Sequence, residues 1–310
     1  MLNSIVLALR DIKLHHTVFA MPFAVLGAFL AAGASAHDDS AAAIASAPPI
    51  EWRRFGGQLA LVVVCMVFAR TWAMLFNRIV DRDFDAANPR TASRMIASGA
   101  LRTRSAMGVA LGAALGFAAC CSLFWIAFSN PWPALLAIPT LAWIAFYSLT
   151  KRFTWASHLF LGGALAASPL AATIAVDPAQ LDRPGVWLIA LMVLLWVGGF
   201  DVLYALQDIA IDRSAGLHSA PERFGAARAT WAARTMHALA FGALMGAWMV
   251  EPALASLFLF ASLVVGALLI AEHVVMAIRG VKALPIAFFT INGVVSVLLG
   301  AAGCLDIALR

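Results

Sequence analysis

Acidic residues recur at one spacing in two parts of this chain, each time where a long apolar run ends. The first part reads Arg70-x6-Asn77-x3-Asp81-x3-Asp85 and the second reads Asp201-x6-Asp208-x3-Asp212. At roughly 100° of rotation per residue, positions i, i+7 and i+11 of an α-helix fall within about 20° of a common line, so each triplet would lie on one stripe. A carboxylate at the membrane is costly and is a functional-site candidate for that reason. Carboxylates at i and i+4 are hard oxygen ligands on adjacent turns. They suit Mg2+, which takes one or two protein carboxylates and completes its octahedron with water and phosphate oxygens. Two such stripes face to face would clamp a diphosphate through two or more ions. The plainer reading is a pair of solvated helix ends whose acids neutralise nearby arginines.

Basic residues accompany the first stripe. Arg90-Thr91 and Arg94 follow it, and another loop contributes Lys151-Arg152. Beside metal-bound phosphate these groups would neutralise the charge that builds on a departing diphosphate; each taken alone also reads as a determinant of membrane topology. Arg82 and Asp83 point off the stripe and read as surface charges. Arg70 is different, because it sits two turns inside the run Val63-Val64-Cys65-Met66-Val67-Phe68-Ala69-Arg70. A guanidinium there needs an acceptor, either a carboxylate of the second stripe or a substrate carboxylate or phenolic oxygen deeper than the metals. Tyr204, three residues after Asp201, lies near the second stripe and could support an acceptor or a cation; Tyr147 is the only other tyrosine.

The elements that must position these groups follow from composition. Of 310 residues, 63% are hydrophobic and 12% charged, and the mean hydropathy is +0.90. That is too apolar for a soluble domain of this size and marks a polytopic membrane protein. Apolar runs of about the 20 residues that cross a bilayer as helix lie at 14–34, 57–76, 105–128, 132–150, 157–176, 185–206, 232–250, 253–273 and 285–306. They are continuous rather than alternating, which excludes a barrel. The expected fold is therefore all-α, nine transmembrane helices in one bundle, with no linker dividing residues 1–310 into separate domains.

Orientation follows from where Lys and Arg fall. With the N-terminus cytoplasmic, that side receives sixteen: Arg10, Lys13, Arg78, Arg82, Arg90, Arg94, Arg102, Arg104, Lys151, Arg152, Arg213, Arg223, Arg228, Arg234, Arg279 and Lys282. The opposite side receives Arg53, Arg54, Arg183 and Arg310. Both acidic stripes then emerge at the cytoplasmic face, and the net charge of +5 reflects this bias and gives no reason to invoke nucleic acid. Ala34-Ser35-Ala36 after the first apolar run resembles a cleavage site, but the run is long for a signal and the pattern works with the helix retained. Residues 35 to 56, rich in Ala, Ser and Pro, then form an external loop. Cys65, Cys120, Cys121 and Cys304 lack metal-ligand spacing and read as buried thiols. Asn77 and Asp208 stand 131 residues apart, which leaves an ancestral duplication open.

The two motifs resemble those of the UbiA-type membrane-embedded prenyltransferases, here Asn77-Arg78-Ile79-Val80-Asp81-Arg82-Asp83-Phe84-Asp85 and Asp201 to Asp212. Further matching elements are Asn88-Pro89-Arg90-Thr91-Ala92-Ser93-Arg94, Tyr147-x3-Lys151-Arg152, Asp201-Val202-Leu203-Tyr204-Ala205, Gly216-Leu217-His218-Ser219 before Phe224-Gly225, and the opening Ile12 to Phe23. The resemblance covers essentially the whole chain. It implies a bundle with a central cavity open to the cytoplasmic side and laterally to lipid. It also implies Mg2+ held by Asn77, Asp81 and Asp85 and by Asp201, Asp208 and Asp212, binding the diphosphate of a polyprenyl donor with help from Arg90, Arg94, Lys151 and Arg152. An aromatic carboxylic acid held by Arg70, near Tyr147 and Tyr204, would attack the allylic cation. One departure is visible: Met95-Ile96-Ala97-Ser98-Gly99 stands where the family has a Leu-Pro-x-Gly turn, which leaves the form of this loop open.

Within the family the acceptor 4-hydroxybenzoate leads to ubiquinone and a dihydroxynaphthoate to menaquinone; both offer Arg70 a carboxylate. 4-Hydroxybenzoate is the first expectation. 1,4-Dihydroxy-6-naphthoate of the futalosine route is the alternative, since Phe76-Asn77-Arg78 and Gly216-Leu217-His218-Ser219 resemble that branch. The implied location is the bacterial cytoplasmic (inner) membrane, with no obligate protein partner. Two other classes fit the sequence less well. A CDP-alcohol phosphotransferase needs an Asp-Gly-x2-Ala-Arg opening, absent here. A cation-coupled transporter would carry its acids near the midplane rather than at one face.

Overall fold

The computed structural model describes residue 7 and residues 19–33, 50–284 and 290–310. Arg10, Lys13, the Ala34–Ala36 segment, most of the 35–56 loop and parts of the first and last apolar runs lie outside these residues. Among the described residues the chain is helical, with no strand. In order come α1 (Met21–Ala32), α2 (Trp52–Val80), α3 (Arg82–Ala87), α4 (Thr103–Phe128), α5 (Trp132–Thr150), α6 (Ser157–Val176), α7 (Pro184–Ala205), α8 (Ile209–Ser214), α9 (Ala220–Phe224), α10 (Ala226–Val250), α11 (Ser256–Arg279) and α12 (Asn292–Ala308).

Six helical segments among the described residues are long and apolar enough to cross a membrane: Trp52–Val80, Thr103–Phe128, Trp132–Thr150, Ser157–Val176, Pro184–Ser214 and Ser256–Ala283. The expected count was nine. Helices α1 and α12 are apolar but shorter. Helix α10 has 25 residues, yet Arg228, Arg234, Thr235 and His237 make its first half polar. His237 is buried and hydrogen-bonds toward the Trp196 carbonyl oxygen at 3.2 Å, so this one of the four faces protein, while Arg228 and Thr235 are exposed.

Helix α7 is the hub. Of its apolar stretch 67% is buried, against 22% for α2, and it packs on α6 and α10 while α2 packs on α4 and α5. Around it Phe23, Trp196, Phe258, Leu244 and Leu299 are fully enclosed. The Trp196 indole N–H donates to Asn292 Oδ1 at 2.7 Å, and the Asn292 amide donates to Glu272 Oε1 at 3.2 Å, so buried polar groups join α7, α11 and α12. Two glycines set the closeness of the packing. A β-carbon at Gly27 would collide with the Pro169 carbonyl oxygen and one at Gly162 with that of Leu194, so their absence lets α1 meet α6, and α6 meet α7, backbone to backbone.

At the end remote from the acidic motifs, Ser129 takes φ 59° to close α4. The Asn130 amide then donates to the carbonyl oxygens of Ile174 and Ala175 at 2.7 and 3.0 Å. This ties the α4–α5 turn to the end of α6.

Candidate functional site

Neither acidic motif rides on one unbroken helix, and the stripe expected from spacing is corrected at each. Helix α2 ends at Val80, and Asp81 is a hinge with φ −96° and ψ 9° before α3 begins. The link survives the break because the Asn77 amide donates to Asp81 Oδ2 at 2.9 Å. In the second motif Asp201 belongs to α7, Asp208 closes a 3-10 turn at Leu206–Asp208, and Asp212 sits on α8. The breaks turn each chain segment over the bundle mouth, which an uninterrupted helix would overshoot.

Basic side chains bind the motifs to each other. Arg90 Nε and Nη2 reach Asp208 Oδ1 and Oδ2 at 3.3 and 2.8 Å, a two-pronged contact, and its Nη1 donates to the Tyr204 hydroxyl at 2.9 Å. The loop that follows the first motif thereby grips the second. The neighbours Lys151 and Arg152 divide: Lys151 Nζ lies 3.6 Å from Asp212 Oδ2 and Arg152 Nη2 lies 3.2 Å from Asp81 Oδ1. Arg94 Nη1 lies 2.6 Å from Asp85 Oδ1. Asp85, Asp208 and Asp212 are buried. Burial pushes the Asp81 carboxyl above the usual range, an effect the Arg152 contact opposes.

The loop after the first motif is ordered by local hydrogen bonds and apolar burial. Asn88 Oδ1 accepts from the Arg90 backbone N–H at 3.0 Å, and the Thr91 hydroxyl donates to the Asp85 carbonyl oxygen at 2.9 Å. Ile96 and Leu101 are buried in a cluster with Leu75, Ala106 and Ala110. Gly99 makes the left-handed turn at φ 79°, where a side chain would be strained. A second loop closes from the opposite side: the His218 N–H donates to the Lys151 carbonyl oxygen at 2.7 Å, and Trp155 meets Phe224 edge-on at 5.0 Å.

Below the mouth lies a cavity of about 510 Å³ lined by Arg70, Asn77, Tyr147 and otherwise mostly apolar residues, among them Val62, Phe117, Phe124 and Phe200. From Asn77 to Val62 is fifteen residues of α2, or about 22 Å of depth. Asn77 therefore belongs to both the acidic mouth and the apolar cavity. Arg70 faces that cavity two turns deeper. Its Nε is buried with no hydrogen-bond partner, and among the described residues no carboxylate is paired with it. Of the two partners considered for Arg70, a carboxylate of the second motif is thus not the one the structure supplies.

The donors suit a divalent cation in type: five carboxylates and an amide oxygen, all hard. Asp212 Oδ2 is buried and makes no hydrogen bond; its neighbour is the Lys151 ammonium at 3.6 Å, beyond hydrogen-bond distance. They are not gathered in advance, since among the described residues no three acidic, His or Cys side chains are grouped closely enough to hold a metal. The basic bridges separate them. Spacing missed His158, whose Nδ1 lies 2.6 Å from Asp201 Oδ2, so Asp201 is taken by a histidine; a lone His near the start of an apolar run has no periodic signature. Arg78 also has a local part, donating to Asn77 Oδ1 at 3.1 Å.

A profile described as the UbiA prenyltransferase family matches residues 20–294. A 4-hydroxybenzoate octaprenyltransferase of Azotobacter vinelandii is 32% identical over 170 residues, 54% of this chain and 55% of that protein. The chain thus aligns with about half the length of the curated relatives it matches. The apo structure of a UbiA homolog from Aeropyrum pernix K1 superposes with TM-score 0.78 at 27% identity, covering 95% of this chain and 98% of that one. A UbiA homolog from Archaeoglobus fulgidus bound to DMAPP and Mg2+ shares the fold with TM-score 0.66 at 17% identity, covering 98% and 99%.

Proposed function

The chain belongs to the UbiA prenyltransferase family, and from that premise we propose that it transfers a polyprenyl group from a polyprenyl diphosphate to an aromatic carboxylic acid, 4-hydroxybenzoate first, in quinone biosynthesis. One observation carries the reading: two acidic motifs bridged by Arg90 and by Lys151–Arg152 stand over an apolar cavity that holds an arginine with an unpartnered Nε. The name of the Azotobacter vinelandii relative supports the acceptor. The magnesium-bound Archaeoglobus fulgidus homolog supports the metal.

In this reading Asn77, Asp81, Asp85, Asp201, Asp208 and Asp212 hold Mg2+, which supplies positive charge to the diphosphate. Arg90, Arg94, Lys151 and Arg152 leave their carboxylates for phosphate oxygens as the donor enters, an exchange of one charge-assisted contact for another. They then stabilise the diphosphate as the allylic C–O bond breaks. The apolar wall keeps water from the allylic cation. Arg70 fixes the acceptor carboxylate with its ring beside the cation, Tyr147 borders that ring in the cavity while Tyr204 stays with Arg90 at the mouth, and loss of a ring proton restores aromaticity. A tail longer than the cavity leaves sideways between helices into lipid.

The same reading has nine helices crossing a bacterial cytoplasmic membrane, α1, α10 and α12 completing the six long apolar segments, with the motif loops cytoplasmic. The test is incubation of purified protein with Mg2+, an allylic polyprenyl diphosphate and either 4-hydroxybenzoate or 1,4-dihydroxy-6-naphthoate, with the product identified by mass. Prenylated 4-hydroxybenzoate that disappears on chelation is the expected result. Product from the naphthoate alone transfers the acceptor assignment to that acid, and no product from either overturns the activity.

A further inference from the structure

Asp201 is held differently from the other carboxylates of the two motifs. Asp81, Asp85, Asp208 and Asp212 each lie within ion-pair distance of an arginine or lysine. Asp201 Oδ2 instead lies 2.6 Å from His158 Nδ1. The Ala220 backbone N–H donates to Nε2 of the same ring at 3.3 Å. A ring nitrogen that accepts carries no proton, so the neutral ring bears its proton on Nδ1 and directs it at Asp201. The ring is 2% exposed and stands near the start of α6, so packing fixes its angle.

We propose that His158 is a positioning residue for cation binding: a ring tied down by Ala220 that holds Asp201 through Oδ2 and leaves Oδ1 for the divalent cation. The inference rests on the reading of Asp201 as a ligand and adds to it. An arginine or lysine beside a carboxylate repels an incoming cation even where one carboxylate oxygen is unpaired. The partner of Asp201 is a neutral ring from outside the ligand set, which adds no such repulsion and can keep its hydrogen bond after the cation binds. Partners of ligating carboxylates that orient them in this way typically contribute 10- to 100-fold in metal affinity. Asp201 is then the fixed point about which the other carboxylates gather as their basic partners turn to phosphate.

Two amides separate this role from a mere clamp on the loop at Ala220. His158→Asn puts an amide N–H near the place of Nδ1 and keeps the donor to Asp201, without an acceptor for Ala220. His158→Gln reaches the place of Nε2 and keeps the acceptor, without the donor. The experiment is titration of each full-length variant in detergent with Mn2+ alone, free Mn2+ being read by electron paramagnetic resonance, with thermal unfolding recorded in parallel. His158→Ala and His158→Gln are expected to weaken Mn2+ binding roughly 10- to 100-fold and His158→Asn to stay near wild type. Adding His158→Ala to Asp201→Asn is expected to cost nothing more. The reverse order of Asn and Gln, or further loss in the double variant, overturns the proposal, and the Asn and Gln pair decides the matter even if the alanine variant fails to fold. Asp81→Ala is the control for the underlying reading: if it binds Mn2+ like wild type, the ligand assignment itself fails. If it loses binding while His158→Ala does not, only the role of His158 falls.

Discussion

Arg70 concentrates the chemistry at the scale of single residues. Its Nε is buried without a partner although it borders a cavity with few polar groups, a costly arrangement unless a ligand supplies the acceptor. A hydrogen bond to a charged group contributes about 1.5–3 kcal/mol, which is roughly a 10- to 150-fold change in affinity. Arg70→Ala should therefore raise the KM for the aromatic acid by that factor and leave the KM for the diphosphate donor nearly unchanged. An unaltered acceptor KM would move the ring elsewhere. Arg70→Lys should recover only part, since an ammonium lacks the planar fork that matches a carboxylate. Asp208 makes the contrasting case. Removing it leaves Arg90 without its carboxylate, and Asp208→Ala should lower kcat by about 10²- to 10³-fold, the usual loss of an electrostatic contact made in the transition state. Steady-state rates at saturating donor would check it, and near-normal turnover with Mg2+ present would remove the ligand role.

At the scale of elements, the loop over the site is held by apolar burial. Ile96 is 2% exposed and packs with Leu75, Leu101, Ala106 and Ala110, so the segment bearing Arg90 and Arg94 is anchored from its far end. Ile96→Ala should cost about 2 kcal/mol or more, a roughly 30-fold rise in local opening. Hydrogen exchange of residues 88–102 should quicken by that factor while α7 is unaffected, and the donor KM should rise with no change for the acceptor; unchanged exchange would show that the anchor lies elsewhere. The sequence makes this loop legible as a motif but not as a structure. Spacing makes Asn77, Asp81, Asp85, Asp201, Asp208 and Asp212 candidates because periodicity survives short interruptions. It could not reveal that Asp81 is a hinge or that Leu206–Asp208 tightens to a 3-10 turn, since those breaks arise from docking over the bundle mouth. The pairings Arg90–Asp208 and His158–Asp201 cross 118 and 43 residues of chain and depend on how helices pack. Composition is equally silent on the partners that His237 of α10 finds in the Trp196 carbonyl oxygen and His273.

On the scale of the whole molecule, charge and packing give one directional prediction. The loops carrying Arg90, Arg94, Lys151, Arg152, Arg213 and Arg223 all lie at the end of the bundle where α2, α5 and α7 finish, and the turns at Asn130 and Pro178–Asp182 lie at the other end. Basic residues are retained on the cytoplasmic side, so the first set should face the cytoplasm and the second should not. Ser98 and Asp182 are exposed residues of the two ends. In intact spheroplasts a membrane-impermeant maleimide should label Asp182→Cys and reach Ser98→Cys only after lysis, with the unsubstituted protein measuring any background from the four native thiols. The reverse pattern would invert the molecule. A diphosphate donor made in the cytoplasm would then have no route to the acidic mouth, because the path through the bundle is the apolar cavity, and a charged headgroup crossing it would lose its hydration with only Arg70 to compensate.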